Sequence, residues 1–263
     1  MTTANLLFMV VAMAAALPVV CQTAPVAQEQ TTALEPPNPP PTAKPDTPLT
    51  PEKRGDVFMA RKMYREAIEA YEQEPVRTPV VWNKIGIAYH QMMQLGTAKR
   101  CYEKSLKLNP KYPEARNNLG AVFYAQRSYR RAIKEYNRAL KLNPNSASIY
   151  SNLGTAYFAR KKYKDAFKAY QQALAIDPEV FEHRSTHGVL LQERTVAERA
   201  TFHYFLAKTY AQAGMNERAL EYIRKSLEEG FKDRKKFIEE PEFAALQALP
   251  EFQELMTKDF RVL

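Results

Sequence analysis

The histidine side chains are the first candidates for chemistry in this chain of 263 residues. His183 and His187 lie four residues apart, a spacing that places two imidazoles on one face of a helix and can bind zinc, and His203 follows them in the sequence. No cysteine pairs with these histidines, Gly188 follows directly, and Glu182 is a weak addition. We therefore expect an insertion loop here and no metal site.

Cys101 is a second candidate, because Arg100 and Lys104 flank it and positive neighbours favour a reactive thiolate. It also directly precedes Tyr102 within a helical pattern, so we expect a lone, partly buried cysteine. With Cys21 the chain has two cysteines in all, too few for a disulfide framework.

Catalytic signatures are absent from the sequence. It has no nucleophile elbow, glycine-rich phosphate loop, paired metal-binding cysteines or histidine–glutamate zinc motif. Only eight glycines occur, and between residues 55 and 154 every one except Gly96 occupies a repeat position. The sequence predicts a protein that is not an enzyme and needs no cofactor, and an enzyme built into residues 181–199 is the weakest alternative.

A period of 34 residues organises the chain from about residue 48 onward. Four columns keep this step: Gly86, Gly120 and Gly154; Ala98, Ala132 and Ala166; Tyr102, Tyr136 and Tyr170; Pro110, Pro144 and Pro178. The pattern predicts helix pairs, such as 116–126 with 130–142. The small residues let the helices cross closely and the tyrosines fill the space between neighbouring pairs, while Asn143-Pro144 stops the second helix.

The repeat resembles the tetratricopeptide repeat family, whose order of aromatic, leucine, glycine or alanine, tyrosine, alanine, aromatic, alanine and proline recurs here, with Arg116 departing at the first aromatic position. The resemblance implies an all-α, right-handed solenoid of antiparallel helix pairs. We expect the repeat domain at 52–232, with units at about 48–78, 79–112, 113–146, 147–180 and 200–233, an insertion at 181–199, and capping helices at 234–263.

The resemblance also places a peptide-binding groove along the first helix of each unit. The candidate groove residues are Asn83, His90, Asn117, Asn118, Tyr124, Ser151, Asn152, Thr155 and Phe158. Amides bind a peptide backbone in both directions, and aromatic rings cover apolar side chains. The lysine-rich clamp that some relatives use on a C-terminal carboxylate does not recur in register.

A second candidate surface is electrostatic. The turns between paired helices carry the basic runs 127–131 and 160–164, with a third at 61–65, and stacking of the units would align them as a basic edge. Its central residues are Arg127, Arg130, Arg131, Arg160, Lys161, Lys162 and Lys164. A solvated face, an acidic protein, anionic lipid or polysaccharide, and nucleic acid are the alternatives. Nucleic acid is disfavoured because the aromatics occupy packing columns.

The first 51 residues differ from the rest. Residues 5–20 are an apolar run of signal-peptide length, and 22–51 hold nine of the eighteen prolines, which favours an extended, disordered linker. We expect 1–21 to be a signal peptide or N-terminal anchor, with Cys21 raising lipidation as an alternative. The chain would then be exported, to the periplasm or beyond.

Charge supports this division, since the net charge of +9 is concentrated after residue 51.

The function we expect is a protein-interaction scaffold of the cell envelope that binds a peptide or helical segment of another protein. The alternative is a structural module whose basic edge meets anionic lipid or polysaccharide. The repeat itself fixes no oligomeric state.

Overall fold

The computed structural model describes residues 49–182 and 195–260. The predicted signal or anchor at 1–21, all but the last residues of the linker at 22–51, and His183 and His187 lie outside these ranges. Within them the chain folds into helices and turns without any strand, so the predicted all-α solenoid is confirmed.

Ten helices form five antiparallel pairs. They are α1 (Pro51–Ala60) with α2 (Tyr64–Glu72), α3 (Pro79–Gln91) with α4 (Leu95–Leu108), α5 (Pro113–Ala125) with α6 (Tyr129–Leu142), α7 (Ala147–Ala159) with α8 (Tyr163–Ile176), and α9 (Val196–Gln212) with α10 (Asn216–Glu228). The chain then continues through α11 (Lys235–Glu239), a 3-10 helix (Pro241–Leu246) and α12 (Pro250–Thr257).

A glycine–tyrosine contact holds each of the first four pairs together. A Cβ added to Gly120 would lie 2.6 Å from a ring carbon of Tyr136, and at Gly154 the distance to the ring of Tyr170 would be 2.4 Å. These tyrosine rings are 0% exposed, so they have no room to move aside. The glycine is therefore required for close approach, because any side chain there would overlap a buried ring.

The fifth pair solves the same packing problem with different residues. Ala207 occupies the glycine position, and Ile223, sixteen residues later, occupies the tyrosine position. Both side chains are fully buried. A larger first residue is thus matched by a smaller second one, as expected if the two must share a fixed volume.

Neighbouring pairs stack through the second helix of one and the first helix of the next: α2 on α3, α4 on α5 and α6 on α7. The first helices also contact one another, α3 with α5 and α5 with α7. First helices therefore crowd together on the inner, concave side of the stack. At the end of the solenoid Phe237, Phe243 and Leu246 are fully buried, in one cluster with Tyr204 of α9.

The last pair begins before the repeat period predicts. The expected insertion ran to residue 199, whereas α9 starts at Val196 and is 17 residues long, against 13 for α3, α5 and α7. Thr195 explains the earlier start, because its side chain accepts a hydrogen bond from the backbone of Glu198 while Glu198 bonds back to the backbone of Thr195. This capping box stabilises an additional turn.

We predict that Gly120→Ala lowers the free energy of unfolding by about 1–2 kcal/mol. Overpacking against Tyr136 costs up to about 3 kcal/mol, which outweighs the roughly 1 kcal/mol that alanine gains over glycine in a helix. Urea unfolding followed by circular dichroism measures the change. Gly96→Ala is the matched control, because Gly96 lies in a helix and a Cβ added there would have nothing within 4 Å, so it should be neutral or stabilising. Equal effects of the two substitutions would contradict the contact.

Candidate functional site

A ladder of polar contacts runs along the concave side and joins successive pairs. The Asn118 amide donates to Oδ1 of Asn83 at 3.0 Å, and the Asn152 amide donates to Oδ1 of Asn117 at 3.0 Å. Both contacts span 35 residues, so each connects a first helix to the first helix before it. Lys84, at the position of Asn118 one unit earlier, makes the corresponding contact to Glu52 of α1 at 2.7 Å.

This ladder changes what the predicted groove asparagines do. Asn83, Asn117, Asn118 and Asn152 are between 2% and 6% exposed. Their amides meet one another because a buried polar group without a partner is costly, and adjacent units supply the partners. Contact between these four residues and a peptide stays a prediction, and only their small exposed fraction is available for it.

The other five predicted groove residues divide by exposure. Thr155 and Phe158 are buried, and the Thr155 hydroxyl donates to the backbone oxygen of Ser151 at 3.0 Å. His90, Tyr124 and Ser151 are partly exposed on the concave side. Burial lowers the pKa of His90, which favours the neutral imidazole.

Both lysines on the concave positions are neutralised by carboxylates. Lys84 Nζ lies 2.7 Å from Glu52 and 2.7 Å from Asp56. Lys208 Nζ lies 2.8 Å from Glu240 and 3.2 Å from Glu242. Neither ammonium is left to bind a free C-terminal carboxylate, in agreement with the missing lysine clamp in the sequence.

An aromatic patch, formed by Phe158, Tyr163 and Phe205, takes the place of the ladder at the last unit. Phe205 occupies the position that holds Asn118 and Asn152 in the earlier units. Its ring stacks on Tyr163, with centroids 5.0 Å apart and planes 16° apart, and meets Phe158 edge-on at 6.0 Å. Tyr163 and Phe205 remain partly exposed. The concave side is thus polar toward its first units and aromatic toward its last.

Sequence reasoning did not find this patch, although the signal was present. When unit 200–233 is aligned with the earlier units, Phe205 falls at the position of Asn118 and Asn152. The change from asparagine to an aromatic residue is visible in that alignment. Its stacking partner Tyr163 begins a second helix, and the repeat pattern alone does not show that the two rings meet.

Arg116 stands where neighbouring units have an aromatic residue, and it forms an ion pair with an acidic residue of the next helix. Its guanidinium lies 3.4 Å from Glu135 of α6, and Glu135 also pairs with Arg138 at 2.6 Å. Glu135 is 7% exposed, so both arginines serve to pair a nearly buried carboxylate. Trp82 and Tyr150 hold this position in the neighbouring units, and the ring of Trp82 packs against a hydrophobic cluster there.

The cysteine and histidine candidates outside the groove are either buried or paired with a neighbouring side chain. Cys101 is buried, and burial raises the pKa of its thiol more than Lys104 and Arg100 lower it, so the reactive thiolate is disfavoured. His203 lies 2.6 Å from Glu229, away from any metal-binding cluster. Within residues 49–182 and 195–260, no three His, Cys, Asp or Glu side chains are placed to hold a metal ion.

The predicted basic edge lies on the turns between paired helices. Arg127, Arg130, Arg131, Lys161, Lys162 and Lys164 are exposed or partly exposed, as is Arg160. The run at 61–65 is separated from these residues by the second unit's turn, which has no charge from Gln91 to Thr97. The basic edge therefore centres on the third and fourth pairs. None of the helices in the described part of the chain combines the length and apolarity needed to cross a membrane.

Stacked helix pairs with a concave inner side define a helical-repeat protein of the solenoid class. Residues 83–147 and 122–180 match the family description "Tetratricopeptide repeat", and residues 200–229 match a second description of the same repeat. The chain belongs to the tetratricopeptide repeat family. Such repeats are protein-interaction folds that normally lack catalytic activity.

Several solved structures are similar to the chain. A structure of MamA is 23% identical, with 69% of this chain and 96% of that one covered and a TM-score of 0.46. MamA from Desulfovibrio magneticus RS-1 is 21% identical, with 68% and 92% covered and a TM-score of 0.47. The first repeat domain of Spaghetti (RPAP3), bound to an HSP90 peptide, is 24% identical, with 42% and 85% covered and a TM-score of 0.38. No curated protein matches the sequence.

We predict that Asn83 and Asn118 are energetically coupled. Removing either amide leaves its buried partner unsatisfied, which costs about 1–3 kcal/mol. A double-mutant cycle of Asn83→Ala and Asn118→Ala should therefore give a coupling energy of about 1 kcal/mol, measured by urea unfolding.

The control cycle combines Asn83→Ala with Ser226→Ala, because Ser226 lies in the fifth pair and shares no hydrogen-bond partner with Asn83, and their effects should add to within about 0.5 kcal/mol. Additivity in both cycles would contradict the ladder as an interaction between units.

Proposed function

We propose that the protein is a non-enzymatic scaffold that binds a segment of another protein along the concave side of the solenoid, with the aromatic patch as the anchor. The observation that carries this proposal is Phe205. It replaces the asparagine of the preceding units with a large apolar ring, and that ring stays partly exposed on a surface formed by first helices. Partly exposed aromatic rings on a concave surface are typical anchors for a bound segment.

The preferred segment follows from the chemistry of the surface. Stacked Tyr163 and Phe205 offer a flat apolar face, which suits an aromatic, aliphatic or proline side chain. Because Lys84 and Lys208 are already paired with carboxylates, a terminal carboxylate gains little from them. We expect an internal segment of the partner, with apolar side chains, rather than an acidic C-terminal tail.

The polar part of the concave side would supply orientation. His90, Tyr124 and Ser151 are partly exposed and carry hydrogen-bonding groups. A peptide backbone carries donors and acceptors in alternation, and these side chains provide both kinds of partner. The bound segment would place apolar side chains on the aromatic patch and its backbone against these three residues.

The proposed place of action is the cell envelope. The apolar run at 5–20 and the proline-rich stretch at 22–51 support export or anchoring, with the repeat domain held on a spacer. N-terminal sequencing of the purified protein tests this. A mature chain beginning after the apolar run supports cleavage and export, whereas an unprocessed, unmodified chain in a cytoplasmic fraction would contradict it.

We predict that Phe205→Asn weakens binding of selected peptides at least tenfold while the fold is retained. Asparagine is the residue that the third and fourth units use at this position, so the local helix accepts it. Peptides selected from a displayed library by the wild-type protein should be rich in aromatic and aliphatic residues. Isothermal calorimetry then compares the affinity of these peptides for the wild type and for Phe205→Asn. Leu142→Asn, which removes an exposed apolar side chain outside the concave side, is the control and should bind normally.

Two outcomes would count against this account. Peptides that bind equally to Phe205→Asn would show that the aromatic patch is not the anchor. Peptides that lose binding when their C-terminus is amidated would show that a carboxylate is recognised. Circular dichroism melting of each variant separates these outcomes from a loss of folded protein.

A further inference from the structure

Four arginines converge on one groove at the edge formed by the turns of the third and fourth pairs. The groove is shallow and open to solvent, with a volume of about 390 Å³, and it is lined by Arg127, Ser128, Tyr129, Arg130, Arg131 and Arg160. Arg127 and Ser128 come from the turn between α5 and α6, and residues 129–131 are the start of α6. Arg160 comes from the turn between α7 and α8. The groove therefore exists only because two units stack.

The backbone of these turns accepts basic residues at a cost. Arg127 and Lys161 adopt the left-handed conformation, with φ of 58° and 57°. The corresponding residue of the fifth unit is Gly214, with φ of 74°, the residue type that this conformation favours. A long basic side chain in the third and fourth units is thus placed where glycine would be less strained.

The arginines at the start of α6 are also unfavourable for the stability of that helix. Arg130 and Arg131 lie in its first turn, which has no acidic residue, and the preceding Ser128 makes no side-chain cap. Positive charge at a helix N-terminus opposes the helix dipole. The second helices of the first, fourth and fifth pairs each have an acid in the first turn: Glu66, Asp165 and Glu217. Local stability alone does not account for arginines here.

Three of the groove arginines are also not neutralised by the fold. Within the described residues, no carboxylate lies within ion-pair distance of Arg130, Arg131 or Arg160. Arg131 is held by packing, because its guanidinium lies 4.0 Å from the ring centre of Phe123. By contrast Arg116 and Arg138, close by on the same pair, both bind Glu135. The guanidinium groups of Arg130 and Arg160 are therefore available to an anion from outside, whereas Arg131 also lines a neighbouring cavity that contains Glu103 and Glu135.

We propose that this groove is a binding site for phosphate groups and that the turn edge docks the protein on the anionic phospholipid headgroups of a membrane. Guanidinium groups bind phosphate oxygens through paired hydrogen bonds, and the Ser128 and Tyr129 hydroxyls add further donors. Lys161 and Lys164 continue the positive surface along the next turn, where Lys162 lies 3.5 Å from Asp165. An array of charges spread along an edge matches many headgroups in a plane.

The neighbouring turns favour a membrane over an acidic protein segment. Met93, at the left-handed position of the second unit's turn, is 64% exposed, and Met63 of the first turn is 36% exposed. Basic side chains beside exposed apolar ones on turn tips suit a headgroup layer, where charge meets phosphate and the apolar groups reach the acyl boundary. The docking edge borders the concave side, since the ring of Tyr129 lies 5.2 Å from that of Tyr124. Its four arginines are not among the residues of the peptide site, so this proposal does not depend on that site.

The test measures binding of the full chain to phosphatidylcholine vesicles with and without phosphatidylglycerol, by co-sedimentation. We expect binding only with phosphatidylglycerol, and Arg130→Gln with Arg160→Gln should weaken it by about 25-fold, since each basic residue near an anionic surface contributes roughly fivefold. Arg130 opposes a helix N-terminus and Arg160 favours a helix C-terminus, so the melting temperature of the double variant should stay close to that of the wild type.

The matched control is Lys107→Gln with Lys141→Gln, which removes the same charge from exposed positions in the last turns of α4 and α6. This control should retain vesicle binding to within a few-fold. Inorganic phosphate at constant ionic strength, set with chloride, should compete for the groove in the wild type. Competition by phosphate supports recognition of phosphate itself.

Three results would overturn the proposal. Equal losses in the two double variants would show that net charge alone is responsible. Binding of inorganic phosphate without any binding to phosphatidylglycerol vesicles would exclude the membrane as the source. Binding to poly-glutamate that is tighter than binding to the vesicles, and lost with Arg130→Gln and Arg160→Gln, would assign the groove to an acidic protein.

Discussion

The contact between a glycine and a tyrosine sixteen residues later is the constraint on which the rest of this structure depends. It sets how closely the two helices of a pair approach, because the tyrosine ring occupies the space that a side chain at the glycine position would need. Four successive pairs repeat the contact, and the fifth uses alanine with isoleucine, both fully buried. With a constant distance within pairs, successive pairs can stack at a constant step, which brings every first helix to the same side.

Both candidate surfaces follow from that regular stacking. On the concave side, residues 35 apart meet as amide pairs, until Phe205 interrupts the series and an aromatic patch begins. On the turn edge, arginines of one unit meet an arginine of the next across a shared groove. Neither surface belongs to a single helix pair. Each of the two proposed sites therefore requires at least two intact neighbouring units.

The sequence predicts the fold well because the period is carried by residues whose packing is obligatory. Gly120, Tyr136 and their counterparts are visible at fixed spacing, and so are the helices that they join. It predicts the site less well, because a position in a first helix indicates the concave side without indicating exposure. Asn118 faces that side and is still buried, since Asn83 of the preceding unit covers its amide. The repeat period does not include the capping box at Thr195 and Glu198, so the period places the start of α9 too late. The pairing of Arg116 with Glu135 depends on the three-dimensional arrangement of two helices.

The most direct test of the central constraint replaces the glycine and tyrosine of the third pair with the alanine and isoleucine that the fifth pair uses. Unfolding free energies of the double variant Gly120→Ala with Tyr136→Ile and of its two single variants form a complete cycle, read by urea unfolding. If the glycine and the tyrosine share one fixed volume, the double variant is more stable than the sum of the single losses predicts, by about 1 kcal/mol or more. Strict additivity would contradict the account, because it would show that the two positions pack independently.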